Sequence, residues 1–312
     1  RILQRMNHIP VLYTEVLEGL AIDPQGIYVD GTLGRGGHAE GILKALSTGR
    51  LIAFDQDQQA ITEASARLAD YGDRLTIIHA NFNTLKASLN RLGIDGVNGI
   101  LLDLGVSSPQ FDDPARGFSY RHDARLDMRM DQRQTLDAYT VVNTYSFVEL
   151  MKILQRYGEE PYAKQIARAI ETRREKAPIE TTLQLVDVIK SALPAKVLSQ
   201  KGHPAKQTFQ ALRIEVNREL DVLSDVLDQA ISVLKPGGRL VILTFHSLED
   251  KAVKHRFMDL SDPHIPAKLP VTDVLTTPYR MIKTKTKAAS ADELRDNPRA
   301  HSAHLRILER IR

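Results

Sequence analysis

The sequence contains no cysteine among its 312 residues. Disulfides and thiolate zinc sites are therefore excluded. A cysteine-held iron–sulfur cluster is excluded too, and with it radical chemistry of that kind. No thiolate exists to attack a pyrimidine ring covalently. No apolar run is long enough to span a membrane, and nothing resembles a signal peptide. A soluble, cytoplasmic protein with no membrane partner is expected. Internal repeats and low-complexity segments are also absent. Met6 is a candidate native start, so residues 1–5 carry no weight.

What is present suits one large domain, or a core with an insertion. Hydrophobic residues make up 42% and charged residues 26%, enough for a substantial core. Lys and Arg number 42 against 39 Asp and Glu, for a net charge of +3. That balance permits a nucleic-acid partner, but only clustering of the cations would argue for one.

The first third alternates strand and helix signals. Short strands are expected at 27–29, 50–54, 75–78 and 100–102, with helices at 39–46 and 58–68 between them. This rhythm predicts an α/β fold with a mostly parallel sheet and helices on both faces. From Phe111 to about Ala205 no strand is expected. An ordered loop over 112–133 leads into helices at 146–157, 161–175 and 183–192. Residues 1–110 and 206–312 are thus expected to form a discontinuous sheet domain, with 111–205 as a helical insertion. One long amphipathic helix is expected over 209–234, stopped by Pro236-Gly237-Gly238. A strand at 239–244, a helix at 248–258, a loop-rich stretch over 261–298 and a last strand at 305–309 complete the chain.

The chemistry gathers at strand ends, where open α/β sheets bind ligands. Asp30-Gly31-Thr32-Leu33-Gly34-Arg35-Gly36-Gly37-His38 follows the first strand, and its glycines let a cofactor approach the backbone closely. Its spacing departs from the dinucleotide pattern G-x-G-x-x-G. Asp55 ends the second strand, placed to accept ribose hydroxyls. Together they suggest a nucleoside-bearing cofactor. Phe82, after the third strand, suits either an adenine face or the core. The run Ile100-Leu101-Leu102 ends in Asp103, and Ser107-Ser108-Pro109-Gln110 follows within a few residues, denser in polar groups than a turn requires. Arg116, Phe118, Arg125 and Arg129 mix cations with aromatic and methionine residues. That suits gripping RNA phosphates and stacking on bases, or a salt-bridged loop covering the core. His246 follows the fifth strand and is the histidine best placed for chemistry. Ser247 and Asp250 read as a capping box opening the next helix. No second histidine stands at ligand spacing, so no metal is expected.

These motifs resemble the bacterial 16S ribosomal RNA cytosine-N4 methyltransferase family. The likeness rests on 30–38, 102–110, 116–119, 126–131, 157–160, 208–214 and 245–250, in order along nearly the whole chain. One departure is His301, where the family pattern has a basic residue, usually Arg. The resemblance implies a class I S-adenosylmethionine-dependent methyltransferase fold, Rossmann-like, whose helical insertion recognises substrate. By motif it implies cofactor contacts at Gly36, Gly37, His38, Asp55, Phe82, Asp103 and Gln110. It implies methylation of a cytidine in the decoding region of 16S rRNA, within the small ribosomal subunit.

An exocyclic amine is a poor nucleophile because its lone pair is delocalised into the ring. The expected task is to hold it in line with the methyl group and accept its hydrogens. Ser107 and Ser108 supply acceptors, Pro109 stiffens the loop, and His246 orients the base or takes the released proton. The target base must leave any stack. A non-catalytic RNA-binding assembly factor with a retained cofactor fold is the alternative, opposed by the intact glycine and acid motifs. A nicotinamide oxidoreductase is opposed by the glycine spacing.

Overall fold

The computed structural model describes residues 10–266, 276–284 and 289–312, and the side chains of Ser108 and Pro109 lie outside what is described. The chain forms two compact units, Arg1–Gly105 with Val222–Arg312, and Val106–Asp221.

The first unit is built on seven strands: β1 (Ile27–Asp30), β2 (Arg50–Asp55), β3 (Leu75–His79), β4 (Val97–Asp103), β5 (Leu234–Thr244), β6 (Tyr279–Ile282) and β7 (His304–Arg310). Their order across the sheet is β3-β2-β1-β4-β5-β7-β6. Strands β1 to β5 pair in parallel, and β7 runs antiparallel between β5 and β6. This is the class I S-adenosylmethionine-dependent methyltransferase architecture that the motifs implied.

Both faces of the sheet are covered, so its central strands carry continuous apolar runs, Leu51–Phe54 in β2 and Ile100–Leu102 in β4. Alternate residues serve opposite faces. Ile52, Phe54, Ile100 and Leu102 pack with Leu223, Leu227 and Ile231 of helix Glu219–Val233. Leu51, Ala53 and Leu101 pack with Ile42 and Leu43 of helix Gly37–Ala45, and with Val16 and Leu20 of helix Tyr13–Leu20. The strand order reverses between β1 and β4, which makes their C-terminal ends the switch-point crevice.

Three expectations need correction here. First, β5 starts at Leu234 and contains Pro236-Gly237-Gly238, because its register against β4 shifts between Val97 and Gly99 and lets the turn bulge outward. Second, the stretch over 261–298 includes edge strand β6 and helix Ala291–Asp296. Third, the long helix is two helices, Lys206–Asn217 and Glu219–Val233, parted at Arg218 with φ 50°. A left-handed non-glycine residue costs about 1–2 kcal/mol, so the break has a structural reason.

That reason lies in the second unit. The compact units part at Gly105/Val106 and Asp221/Val222, and so helix Lys206–Asn217 belongs with the helical block. Its Phe209, Leu212 and Val216 lie in one core with Leu126, Met128, Leu150, Ile166, Ile170 and Leu185. Helices Phe147–Arg156 and Thr182–Ser191 open with capping boxes, Ser146 with Glu149 and Thr181 with Gln184. Just before the break, Asn217 turns inward. Its Oδ1 accepts the Met130 N–H at 2.9 Å, and its Nδ2 donates to Met128 O and Arg213 O, each at 2.9 Å. After the break, Glu219 pairs with Arg213 at 3.1 Å. The kink therefore clamps the 125–131 loop.

Asn217→Ala should remove the side-chain partner of the buried Met130 N–H and Met128 carbonyl. A loss of about 2–4 kcal/mol is expected, from about 1–3 kcal/mol for each orphaned group with partial rescue by water. Urea unfolding followed by circular dichroism measures it, and a loss under half a kilocalorie would show that the clamp is dispensable.

Candidate functional site

Three carboxylates sit at the C-terminal ends of β1, β2 and β4. Asp30 is buried, its Oδ1 accepts the Thr32 N–H at 2.9 Å, and its Oδ2 has no hydrogen-bond partner among the described residues. Thr32 also faces the other way: its hydroxyl oxygen accepts the Asp103 N–H at 2.7 Å. Gly31 N–H donates to Leu101 O at 2.9 Å, which ties the turn to β4. The glycine turn continues to Asp55, whose Oδ2 accepts the Gly34 N–H and whose Oδ1 accepts the Asp57 N–H, both at 2.9 Å.

The acids feel one another. Burial raises the Asp30 carboxyl to about 7; the Thr32 N–H opposes the rise, and the charges of Asp103 and Asp55 add to it. Burial likewise raises Asp55 to about 6, against the N–H groups of Asp57, Gly34 and Gln56.

Gly36, with φ 80°, precedes helix Gly37–Ala45. A Cβ there would lie 3.0 Å from Leu68, and one on Gly37 would lie 2.3 Å from Pro10. Both positions demand glycine, one for its dihedral and one for space. His38 is buried, its Nε2 lies 2.9 Å from Val11 O, and its Nδ1 lies 3.7 Å from Asp103 Oδ2. Burial lowers its pKa, so the ring is neutral with its proton on Nε2. The Nδ1 lone pair and a carboxylate oxygen then face each other with no donor between them.

Phe82 begins a short 3-10 helix after β3 and is half-buried against the sheet core. Asn81 holds that turn to the end of β2 through a 3.0 Å bond from its amide to Gln56 Oε1. Gln110 belongs to the second unit, where its Oε1 accepts the Ser107 N–H at 3.1 Å. The turn closes a short helix, Ser108–Asp112. Ser107 Oγ is buried with no hydrogen-bond partner among the described residues. The side chains of Ser108 and Pro109 lie outside the described residues.

His246 replaces Ser247 as the cap of helix Ser247–Ser261, with Glu249 rather than Asp250 at the third position. Its Nδ1 accepts the Glu249 N–H at 3.4 Å, and Glu249 reaches back to the Phe245 N–H at 3.0 Å. Nε2 lies 2.9 Å from Glu249 Oε1 but off the hydrogen-bond direction, so the contact is electrostatic. Asp250 is drawn away by a two-pronged pair with Arg306 of β7, at 2.9 and 2.8 Å.

The cations expected to grip RNA are largely spent inside the second unit. Arg116 is buried and donates to Arg129 O at 2.9 Å and Met130 O at 3.3 Å. Phe118 is a core residue. Arg129 forms a fork with Asp127 at 2.8 and 3.0 Å. Arg125 pairs with Asp137 at 2.8 Å and lies over the Tyr139 ring, yet its side chain stays 55% exposed. Of Arg116, Arg125 and Arg129, Arg125 is the one whose charge is most open to solvent. His301 is exposed on the short helix Pro298–Ser302.

One residue escaped the sequence reading. Arg299 stacks over the Phe245 ring at 4.8 Å and reaches within 3.8 Å of Asp103 Oδ1. It makes Asp103 a carboxylate flanked by a cation on one side and His38 on the other. Only its place two residues before His301 hinted at it. Among the described residues, no group of three or more His, Asp or Glu is arranged to hold a metal. None of the described helices is long and apolar enough to cross a membrane.

The profile of the MraW methylase family matches residues 5–311. A "Ribosomal RNA small subunit methyltransferase H" from Limosilactobacillus fermentum is 52% identical over 310 residues, covering 98% of this chain and 99% of its own. The protein of the same name from Lactobacillus delbrueckii subsp. bulgaricus is 51% identical over 311 residues, with the same coverage. Among solved structures, an rRNA methylase from Streptococcus thermophilus aligns over 96% of this chain and 94% of its own, at 13% identity and a TM-score of 0.39.

The residues present fit S-adenosylmethionine. Asp30 Oδ2 and Asp103 Oδ1 are buried acceptors lacking hydrogen bonds among the described residues. The facing acceptors of His38 and Asp103 form a seat for a donor. A molecule with ammonium, sulfonium and ribose hydroxyl groups matches that acceptor-rich edge.

Asp30 also makes stability depend on pH. The folded carboxyl titrates at about 7 and the unfolded one near 3.8. Between those values the folded state holds the extra proton, so this group's contribution to stability declines as pH rises from about 4 to about 7. Asp30→Asn removes that titration. In thermal melts of the cofactor-free protein, the variant's Tm should gain on the wild type steadily across this interval. A constant difference would place the Asp30 proton elsewhere.

Proposed function

Since the chain belongs to the MraW methylase family, we propose that it methylates the N4 amine of a cytidine in the decoding region of 16S rRNA, with the small ribosomal subunit as its partner. The close relatives carry the name of small-subunit rRNA methyltransferases. The observation that carries the reading is the acceptor-rich edge at the β1/β4 switch point, beside a glycine turn. The cysteine-free composition supports N4 over carbon-5 chemistry, which needs a thiolate.

In this reading Gly36 and Gly37 let the cofactor lie against the backbone. Asp55 uses its remaining lone pairs on the ribose hydroxyls. Phe82 lies against the adenine, His38 and Asp103 share an N–H donor of the amino-acid end, and Gln110 completes the set. When bound, S-adenosylmethionine supplies an electrophilic methyl group. The protein's part is to localise the amine lone pair by accepting its hydrogens, which Ser107 Oγ, lacking a partner of its own, and Ser108 are assigned to do. Pro109 limits the motion of that turn.

His246 is assigned to orient the base or to take the proton that methylation releases. Its Nδ1 lone pair holds the Glu249 N–H only at 3.4 Å. The second unit, and Arg125 on it, is assigned to the surrounding RNA.

Two measurements test the proposal. Incubation with labelled S-adenosylmethionine and unmethylated small subunits, then digestion and mass spectrometry, should yield N4-methylcytidine. Label in another nucleoside, or none, would overturn the assignment. Asp55→Ala should weaken S-adenosylmethionine binding by about 10–100-fold in calorimetry, the loss of about 1.5–3 kcal/mol for bonds to a charged group. Unchanged affinity would remove Asp55 from the ribose contact.

A further inference from the structure

Helix Ala163–Lys176 of the second unit carries a basic stripe that none of the roles above uses. Lys164, Arg168, Arg173 and Lys176 line a groove of about 690 Å³ together with Ser191 and Ala192 at the end of helix Thr182–Ser191. No carboxylate lines it.

The plain explanation is a solvated helix face, and it accounts for part of the stripe. Arg168 pairs with Glu171 at 2.5 Å and stacks on Phe147 at 3.9 Å. Arg173 donates to Ala177 O at 2.7 Å and sits, with Lys176, where cations favour the helix dipole. Lys164 is different. It lies in the first turn, where a cation is disfavoured by about 0.3–1 kcal/mol, and the helix has no acid there to offset it. Its neighbour one turn on is Arg168, a like charge. Lys164 and Lys176 are exposed and have no ion pair among the described residues. The Glu160 carboxylate just before the helix accepts the Tyr162 N–H at 3.0 Å and serves the helix end, but among the described residues it forms no ion pair with Lys164.

Lys164, Arg168, Thr172 and Lys176 recur every fourth residue, a step of about 6 Å along the axis. That step is comparable with the distance between successive phosphates of a nucleic-acid strand. We propose that this groove binds the phosphate backbone of an RNA strand, through Lys164 and Lys176 as free cations with Arg168 and Thr172 between them. The proposal deepens the rRNA reading and rests on it for the identity of the polyanion. The rRNA reading favours a phosphate chain over an acidic polypeptide, whose alternate carboxylates on an extended strand would repeat at about 7 Å and which the test below distinguishes.

The test uses the full-length protein and a mixed-sequence single-stranded RNA, followed by fluorescence anisotropy at several salt concentrations. Lys164→Ala/Lys176→Ala should weaken binding about tenfold at low salt. It should also reduce the slope of log K against log salt by about 1.4–2, two contacts' worth. Lys164→Arg/Lys176→Arg should keep the wild-type slope. Affinity for S-adenosylmethionine should not change in either variant, which excludes a folding defect. An unchanged slope in the alanine variant overturns the groove. So does polyglutamate binding more tightly than RNA and losing that binding in the alanine variant, since the groove would then take an acidic protein. Methylation of small subunits by the wild type is scored separately. If it occurs while the slope is unchanged, the groove fails and the rRNA reading stands. If it fails while the slope falls, the groove stands and the assigned function falls.

Discussion

The site depends on Thr32. Its N–H fixes the Asp30 carboxylate, and its hydroxyl oxygen accepts the Asp103 N–H at 2.7 Å. One short side chain thus fixes the ends of two strands that diverge at the switch point. The consequence is electrostatic as well as geometric. Burial makes the Asp30 carboxyl resist ionisation, and the charges of Asp103 and Asp55 nearby add to it. Burying carboxylates with unfilled acceptor sites costs stability in the empty protein. That cost is tolerable if a ligand brings the missing donors. The cofactor reading and the raised Asp30 pKa are therefore two expressions of one arrangement, a preorganised set of acceptors aimed at a cationic guest.

The second unit distributes charge by the opposite logic. Its 112–133 loop has little regular structure, so its shape has to come from side chains. Arg116 and Arg129 supply it by donating to backbone carbonyls and to Asp127, and Asn217 closes the loop from the helix break at Arg218. Cations used this way are satisfied, and satisfied groups have little left for phosphate. Lys164 and Lys176, exposed and without an ion pair among the described residues, lie on the regular helix Ala163–Lys176, where backbone bonding is complete without them. Structural arginines in the loop and free lysines on the helix follow from where the backbone needs help.

The central strands and the acids that end them were legible for one reason. A doubly covered parallel sheet needs continuous apolar runs, and Leu51–Phe54 and Ile100–Leu102 are such runs ending in acids. Strand β6 was not legible because, as an edge, it is half-exposed along its length and lacks both signatures. The break at Arg218 carries no glycine or proline, and the hydrophobic period runs on through it; only the buried Asn217 explains it. Sequence favoured Ser247 as a cap over His246, since serine is the common choice and histidine the rare one. Arg116 and Arg299 could not be placed at all. Whether an arginine points to solvent, to a carbonyl or to Asp103 depends on contacts between segments far apart in the chain.

The His246 cap bears on the mechanism. Its Nδ1 accepts a helix N–H at 3.4 Å, and Nε2 lies 2.9 Å from Glu249 Oε1. With no cysteine in the chain, thiolate attack on a pyrimidine ring has no group to perform it. In the proposed reaction the protein's tasks are positioning, hydrogen-bond acceptance and removal of the proton that the methylated amine releases, because the amine's acidity rises as its lone pair is drawn into the new bond. The same tasks account for an edge so rich in acceptors and a turn whose Ser107 hydroxyl is buried without a hydrogen-bond partner among the described residues.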